Sequence, residues 1–135
     1  MNLATVPKRV LVVEDDPDIR EVLIQILLDA GYEVTGTANG SEALQSLRDS
    51  PKFGLIILDL MMPVMNGWQF VDAYRQEAGD RVPIVAITAA GPGAIRSARA
   101  LGRIASVLPK PIDLDELRMV VDMHLDPGNP GSGAN

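Results

Sequence analysis

Arg9-Val10-Leu11-Val12-Val13-Glu14-Asp15-Asp16-Pro17 is the stretch on which the fold turns. Val10 to Val13 is β-branched and apolar without interruption, the pattern of a strand buried on both faces. The run stops at three consecutive acids and a proline. Beyond it Ile19, Val22, Leu23, Ile26, Leu27 and Ala30 recur at helical spacing, with Pro17 suited to the first turn and Gly31 to the C-terminal cap. A buried strand therefore feeds straight into an amphipathic helix.

The same unit recurs along the chain. Glu33–Thr37 reads as a weaker, more polar strand. Asn39-Gly40-Ser41-Glu42 has the capping spacing of a helix start, and Ala43, Leu44 and Leu47 give that helix an apolar face before Pro51. Leu55–Leu58 is a fully apolar strand ending on Asp59, and Phe70, Val71 and Tyr74 mark a helix reaching about Glu77. Pro83–Thr88 is the fourth strand, followed by a loop at Gly91-Pro92-Gly93 and an Ala-rich helix to Leu101. Ser106-Val107-Leu108 is a short fifth strand, and Asp113-x-x-Glu116 caps a last helix through Leu117, Val120, Val121 and Leu125. Five strands alternating with five helices predict an α/β protein with one parallel sheet, doubly wound and covered on both faces in three layers.

Composition agrees. The chain has 135 residues, room for one domain. Hydrophobic residues make up 47% and charged residues 22%, enough apolar surface for a packed core. The absence of cysteine excludes a disulfide framework, a thiolate metal site and a cysteine nucleophile. The longest apolar runs are too short to span a membrane, and residues 1–7 lack the apolar core of a signal peptide, so a cytoplasmic protein is expected. A net charge of −6 argues against non-specific nucleic-acid binding. Residues 1–7 read as an N-terminal extension and the Pro/Gly-rich segment 126–135 as a disordered tail, with no output domain expected after it.

In an open parallel α/β sheet, ligands bind beyond the carboxyl ends of the strands. Asp15 and Asp16 follow the first strand, Asp59 the third, Thr88 the fourth and Lys110 the fifth. Two carboxylates about 5 Å apart repel by roughly 3 kcal/mol at an effective dielectric near 20. Three of them against a single lysine call for a hard divalent cation, and oxygen ligands without His or Cys point to Mg²⁺ or Mn²⁺. Mg²⁺ shares its shell readily with phosphate, so the constellation fits phosphoryl transfer onto Asp59 as nucleophile, with Lys110 and Thr88 holding phosphoryl oxygens.

At this point the chain resembles a family. Val10-Leu11-Val12-Val13-Glu14-Asp15-Asp16, Leu58-Asp59-Leu60-Met61-Met62-Pro63-Val64-Met65-Asn66-Gly67, Ile87-Thr88-Ala89 and Leu108-Pro109-Lys110-Pro111 together resemble the receiver domain of two-component response regulators, of the stand-alone, chemotaxis-regulator-like kind. The resemblance covers about Lys8 to Leu125. It implies a flavodoxin-like (βα)5 fold, Asp59 as phospho-acceptor, and a sensor histidine kinase or histidine phosphotransfer protein as donor. It also implies magnesium held by Asp15, Asp16, Asp59 and the Met61 backbone carbonyl, and a cis peptide at Lys110-Pro111. The output would be a switch in binding to a downstream target protein, a signalling role rather than metabolic catalysis.

Two departures stand out. Receivers usually carry an aromatic residue three positions before the lysine, where this chain has Val107, so the partner of Thr88 in the usual switch is missing. Gly102–Ser106 also looks one residue longer than the family norm. The positions two beyond the acceptor and the threonine, Met61 and Ala90, offer no hydrogen bond to an attacking water, which predicts slow self-dephosphorylation.

Plainer readings exist for each residue. Asp15 and Asp16 also suit the cap of the first helix. Met61, Met62 and Met65 are expected in core or loop packing rather than as metal ligands. His124, alone, is expected at the surface or partly buried. Arg96, Arg99 and Arg103 fit either a solvated face or a partner-docking face. Two rival functions remain: a phosphorylation-independent binding module, and a Mg²⁺-dependent aspartyl-phosphate phosphohydrolase, whose Asp-x-Asp motif this chain lacks because Met61 stands where the second aspartate would be.

Overall fold

The computed structural model describes residues 8–49, 52–61, 66–78, 82–89, 91–100 and 104–126. The elements run β1 (Arg9–Val13), α1 (Pro17–Asp29), β2 (Glu33–Thr37), α2 (Gly40–Asp49), β3 (Leu55–Asp59), α3 (Gly67–Ala78), β4 (Ile84–Thr88), α4 (Pro92–Arg99), β5 (Ile104–Pro109) and α5 (Leu114–Leu125). The five strands form one parallel sheet in the order β2-β1-β3-β4-β5.

Because side chains alternate across a strand, the three central strands feed two separate cores. Leu11, Val13, Ile56, Leu58, Ile84 and Ala86 face Phe70, Val71 and Tyr74 of α3, with Ala43, Leu44 and Ala98 from α2 and α4. Val10, Val12, Leu55, Ile57, Val85 and Ile87 face Leu23 and Leu27 of α1 and Leu117, Val121 and Leu125 of α5. Continuous apolar runs are what a strand covered on both sides requires.

The helix ends follow local chemistry. Asp16 caps α1, its carboxylate accepting from the N–H groups of Asp18 and Ile19, and Pro17 occupies the first turn. Asn39 accepts from the Glu42 N–H while the Glu42 carboxylate accepts from that of Ala38. Asp113 caps α5 by accepting from Asp115 and Glu116. After α1, Gly31 takes φ +96°, and the Tyr32 N–H reaches back to the Leu27 carbonyl at 3.1 Å. Tyr32 then donates its buried hydroxyl to Asp122 on α5, tying the end of α1 to the last helix.

Element boundaries shift in two places. β5 begins at Ile104, two residues before the expected start, and its pairing slips: Ile84 faces Ile104 but Val85 faces Ser106, leaving Ala105 unpaired and exposed. The residue that looked supernumerary in Gly102–Ser106 is thus absorbed inside the strand. α4 is described to Arg99, with Ala100 as its cap. The expected continuation to Leu101 lies outside the described residues, as do Arg103, residues 1–7 and the rest of the tail after Asp126.

Candidate phosphoryl-transfer site

Asp59 is the last residue of β3 and is buried, at 1% exposure. Both of its oxygens are held. The Met61 N–H donates to Oδ1 at 3.0 Å, and the Lys110 ammonium lies 3.3 Å from Oδ2. Lys110 is brought there by the chain just past β5. Its N–H donates to the Thr88 carbonyl at 2.8 Å, and the Lys110-Pro111 peptide that follows is cis, as the resemblance implied. Thr88 itself ends β4, buried, in register with Pro109. β3, β4 and β5 therefore deliver a carboxylate, a hydroxyl and an ammonium to one sheet edge.

β1 delivers the other acids, and here the expectation needs correcting. The groups that come together with Asp59 are Glu14 and Asp15: one carboxylate oxygen from each of the three lies within 4.8 Å of the others. Asp16 is not among them. Its carboxylate faces the first turn of α1, where two free N–H groups claim it, and only its backbone N–H turns toward the cluster, donating to Glu14 Oε2 at 3.2 Å. Glu14 went unread because it directly follows the apolar run. The signal that separates the acids was present, since an acid immediately before a proline in a helix's first turn is a cap.

Glu14 is buried at 1% exposure, and its Oε1 is the one buried side-chain oxygen without a hydrogen-bond partner among the described residues. Burial pushes its carboxyl up from the ordinary 4.5 to about 7; the Asp59 charge adds to the rise, while the Asp16 N–H and Lys110 oppose it. A buried carboxylate with one unpartnered oxygen, grouped with two further carboxylates, fits a hard divalent cation, which takes oxygen ligands alone.

A pH dependence follows. A folded-state value above the unfolded one makes the protonated form the favoured one, so stability from this group is full below about pH 4.5. It is lost as pH rises through 7, on the order of 3 kcal/mol in all. A cation that replaces the proton recovers that loss at high pH. The rise in Tm on adding Mg²⁺ is expected to be clearly larger at pH 8 than at pH 6, and Glu14→Gln should flatten the difference. Equal Mg²⁺ effects at the two pH values in the wild type would contradict this.

The remaining candidates divide. Met61 does not pack in the core: its side chain is 62% exposed at the rim of the site, while Met62, Met65 and Ala90 lie outside the described residues. Val107 is half-buried on β5, paired with Ala86 and packed against the core on the α4 side. Arg96 and Arg99 are exposed in the last turn of α4, and His124 is half-buried on α5.

Comparison with known proteins agrees with this geometry. The family model described as "Response regulator receiver domain" matches residues 10–122. The response regulator receiver protein CpdR of Brucella abortus is 36% identical over 82% of this chain and 90% of its own length. The chemotaxis protein CheY4 of Vibrio cholerae superposes with a TM-score of 0.78 at 35% identity, over 88% of this chain and 99% of its own. The response regulator TrrA of Thermotoga maritima, in complex with Mg²⁺ and BeF, gives a TM-score of 0.76 at 34% identity, over 87% and 99% of the two chains.

Proposed function

The chain belongs to the response regulator receiver family, whose domains are signalling modules that switch on phosphorylation, and from that premise we propose that Asp59 is the phospho-acceptor. The observation that carries this reading is the clamp on its carboxylate, with Oδ1 fixed by a backbone N–H and Oδ2 facing the Lys110 ammonium. A carboxylate aimed in this way needs no general base. One of its oxygens attacks the phosphorus of a phosphohistidine on a sensor kinase or phosphotransfer protein. The P–N bond breaks, the imidazole nitrogen keeps the electron pair, and Asp59 becomes an acyl phosphate.

Glu14, Asp15 and Asp59, with the Met61 carbonyl, are the residues that would hold Mg²⁺, whose chemistry here is neutralisation of phosphate charge. Lys110 keeps one phosphoryl oxygen compensated throughout, and the Thr88 hydroxyl closes on another in the product. With Val107 beside β4 in place of an aromatic ring, the signal leaves through the backbone link between Thr88 and Lys110 and through α4. Arg96 and Arg99 on that helix form the face offered to a downstream protein. Among the described residues no helix is long and apolar enough to cross a membrane.

The test is intact mass after incubation with Mg²⁺ and acetyl phosphate. One phosphoryl adduct on the wild type, absent from Asp59→Asn and absent after chelation, is the expected result. An adduct that survives in Asp59→Asn overturns the assignment, as does none on the wild type with any donor.

Once formed, the adduct should persist. Met61 reaches into solvent at the rim and has no group to orient a hydrolytic water. The isolated phosphoprotein is expected to last minutes or longer, with Met61→Asn shortening that time, whereas decay within seconds would contradict the reading.

A further inference from the structure

An apolar groove of about 670 Å³ opens between α1 and the segment joining β5 to α5. Ile19 and Val22 line it from α1, Ile112 and Leu114 from the other side, and its charged members among the described residues are Lys110 and Asp18. Val22 is half exposed there, so the groove presents its apolar surface to solvent. Lys110 belongs to the groove and to the acceptor site at once, since its ammonium lies 3.3 Å from Asp59 Oδ2.

We propose that this groove holds the hydrocarbon chain of small acyl phosphates, so that medium-chain acyl phosphates charge Asp59 faster than acetyl phosphate does; the inference rests on Asp59 being the acceptor. A molecule with a phosphate dianion at one end and an alkyl chain at the other matches a surface with an ammonium at one end and aliphatic side chains beyond it. In-line displacement places the leaving carboxylate on the far side of phosphorus from Asp59, so the chain points away from the acceptor and is free to lie along neighbouring surface. The groove is the apolar surface that shares Lys110 with the acceptor site, and its volume lies in the range that accommodates small organic ligands. The step balances without a proton. An Asp59 oxygen bonds to phosphorus, the P–O bond to the acyl group breaks, and the carboxylate leaves with the electron pair. Asp18 sets the limit on the chain, because its carboxylate repels a second anion, so dicarboxylic donors such as succinyl phosphate gain nothing.

The experiment compares rate constants for phosphorylation by acetyl and hexanoyl phosphate, read by intact mass with Mg²⁺ present. The two donors share an alkyl carboxylate leaving group, so intrinsic reactivity is matched. A methylene fully removed from water is worth about a fourfold gain; in a groove open on one side about twofold each is expected, roughly 16-fold over four methylenes. Val22→Asp should bring the hexanoyl-to-acetyl ratio near one and Val22→Ala lower it partway, with thermal unfolding confirming that both variants fold. Equal rates for the two donors on the wild type would overturn the groove assignment, as would a preference that survives Val22→Asp. No adduct with either donor would instead overturn the reading of Asp59 as acceptor.

Discussion

Gly67→Ala is expected to lower the Tm by about 10–15 °C, and Gly67→Val to leave little folded protein at 37 °C. The reason is contact rather than backbone conformation. A Cβ at position 67 would collide with Leu60 Cδ2 and would lie 2.6 Å from Leu60 Cα and 3.2 Å from the Asp59 carbonyl oxygen. A side-chain methyl can turn aside, but a Cα carries the chain with it. Here that chain is pinned, because the Leu60 N–H donates to Ile87 of β4 and the Leu60 carbonyl accepts from Gly67 itself, both at 3.0 Å. The first turn of α3 must retreat or the end of β3 must move, and the latter carries Asp59 with it.

Two other glycines calibrate the effect. At Gly36 a Cβ would also come too close, 2.6 Å, but to Ile24 Cδ1, the free end of a flexible side chain, so Gly36→Ala should cost about 1 kcal/mol or less. At Gly93, on α4, nothing lies within 4 Å, and Gly93→Ala should be neutral or slightly stabilising. Thermal melts of the three alanine variants check the order directly. A Gly67→Ala protein as stable as Gly93→Ala would show that α3 does not dock against β3 in this way.

Asp59→Asn is expected to move stability in opposite directions with and without metal. In EDTA at pH 8, two repulsions of at least about 3 kcal/mol each disappear, the oxygens lying within 4.8 Å of one another, against a lost attraction of about 5 kcal/mol to Lys110 at 3.3 Å, all at an effective dielectric of 20. The net is a gain of about 1–2 kcal/mol, a Tm higher by roughly 3–6 °C. With Mg²⁺ at a hundred times its Kd the wild type gains about 2.7 kcal/mol, and the variant should gain less than a third of that. The two melting curves therefore cross as Mg²⁺ is added. A variant that melts below the wild type in EDTA would show that the acidic cluster carries no net strain, and an undiminished Mg²⁺ response would remove Asp59 from the metal site.

Much of this was written in the chain. The central strands announce themselves because a strand sandwiched between helices must be apolar on both faces, and Val10–Val13 and Leu55–Leu58 are. Asp59, Thr88 and Lys110 follow strands, and strand ends are where a parallel sheet places its chemistry. What the one-dimensional pattern left open was set by competition between neighbours. Three successive acids do not say which two face the sheet edge. The free N–H groups of α1 decide it, by taking Asp16 and leaving Glu14 to the cluster. The bulge at Ala105 depends on register with β4, and register is a property of two segments. The groove beside Lys110 draws on residues from α1 and from the approach to α5, far apart in sequence, so no local spacing reveals it. The crowding behind Gly67 likewise exists only once α3 has docked.

The sheet divides the interior into two compartments that share no side chain: α1 and α5 close one, and α2, α3 and α4 close the other. This arrangement lets the surfaces drift apart over evolutionary time. Replacements that remodel α1 are absorbed by the compartment beneath it, and replacements on α4 by the opposite one. Paired substitutions across the sheet, such as Leu27→Ala with Phe70→Ala, should therefore be close to additive. The α1 face and the α4 face can thus change independently, because the sheet edge between the two compartments stays fixed.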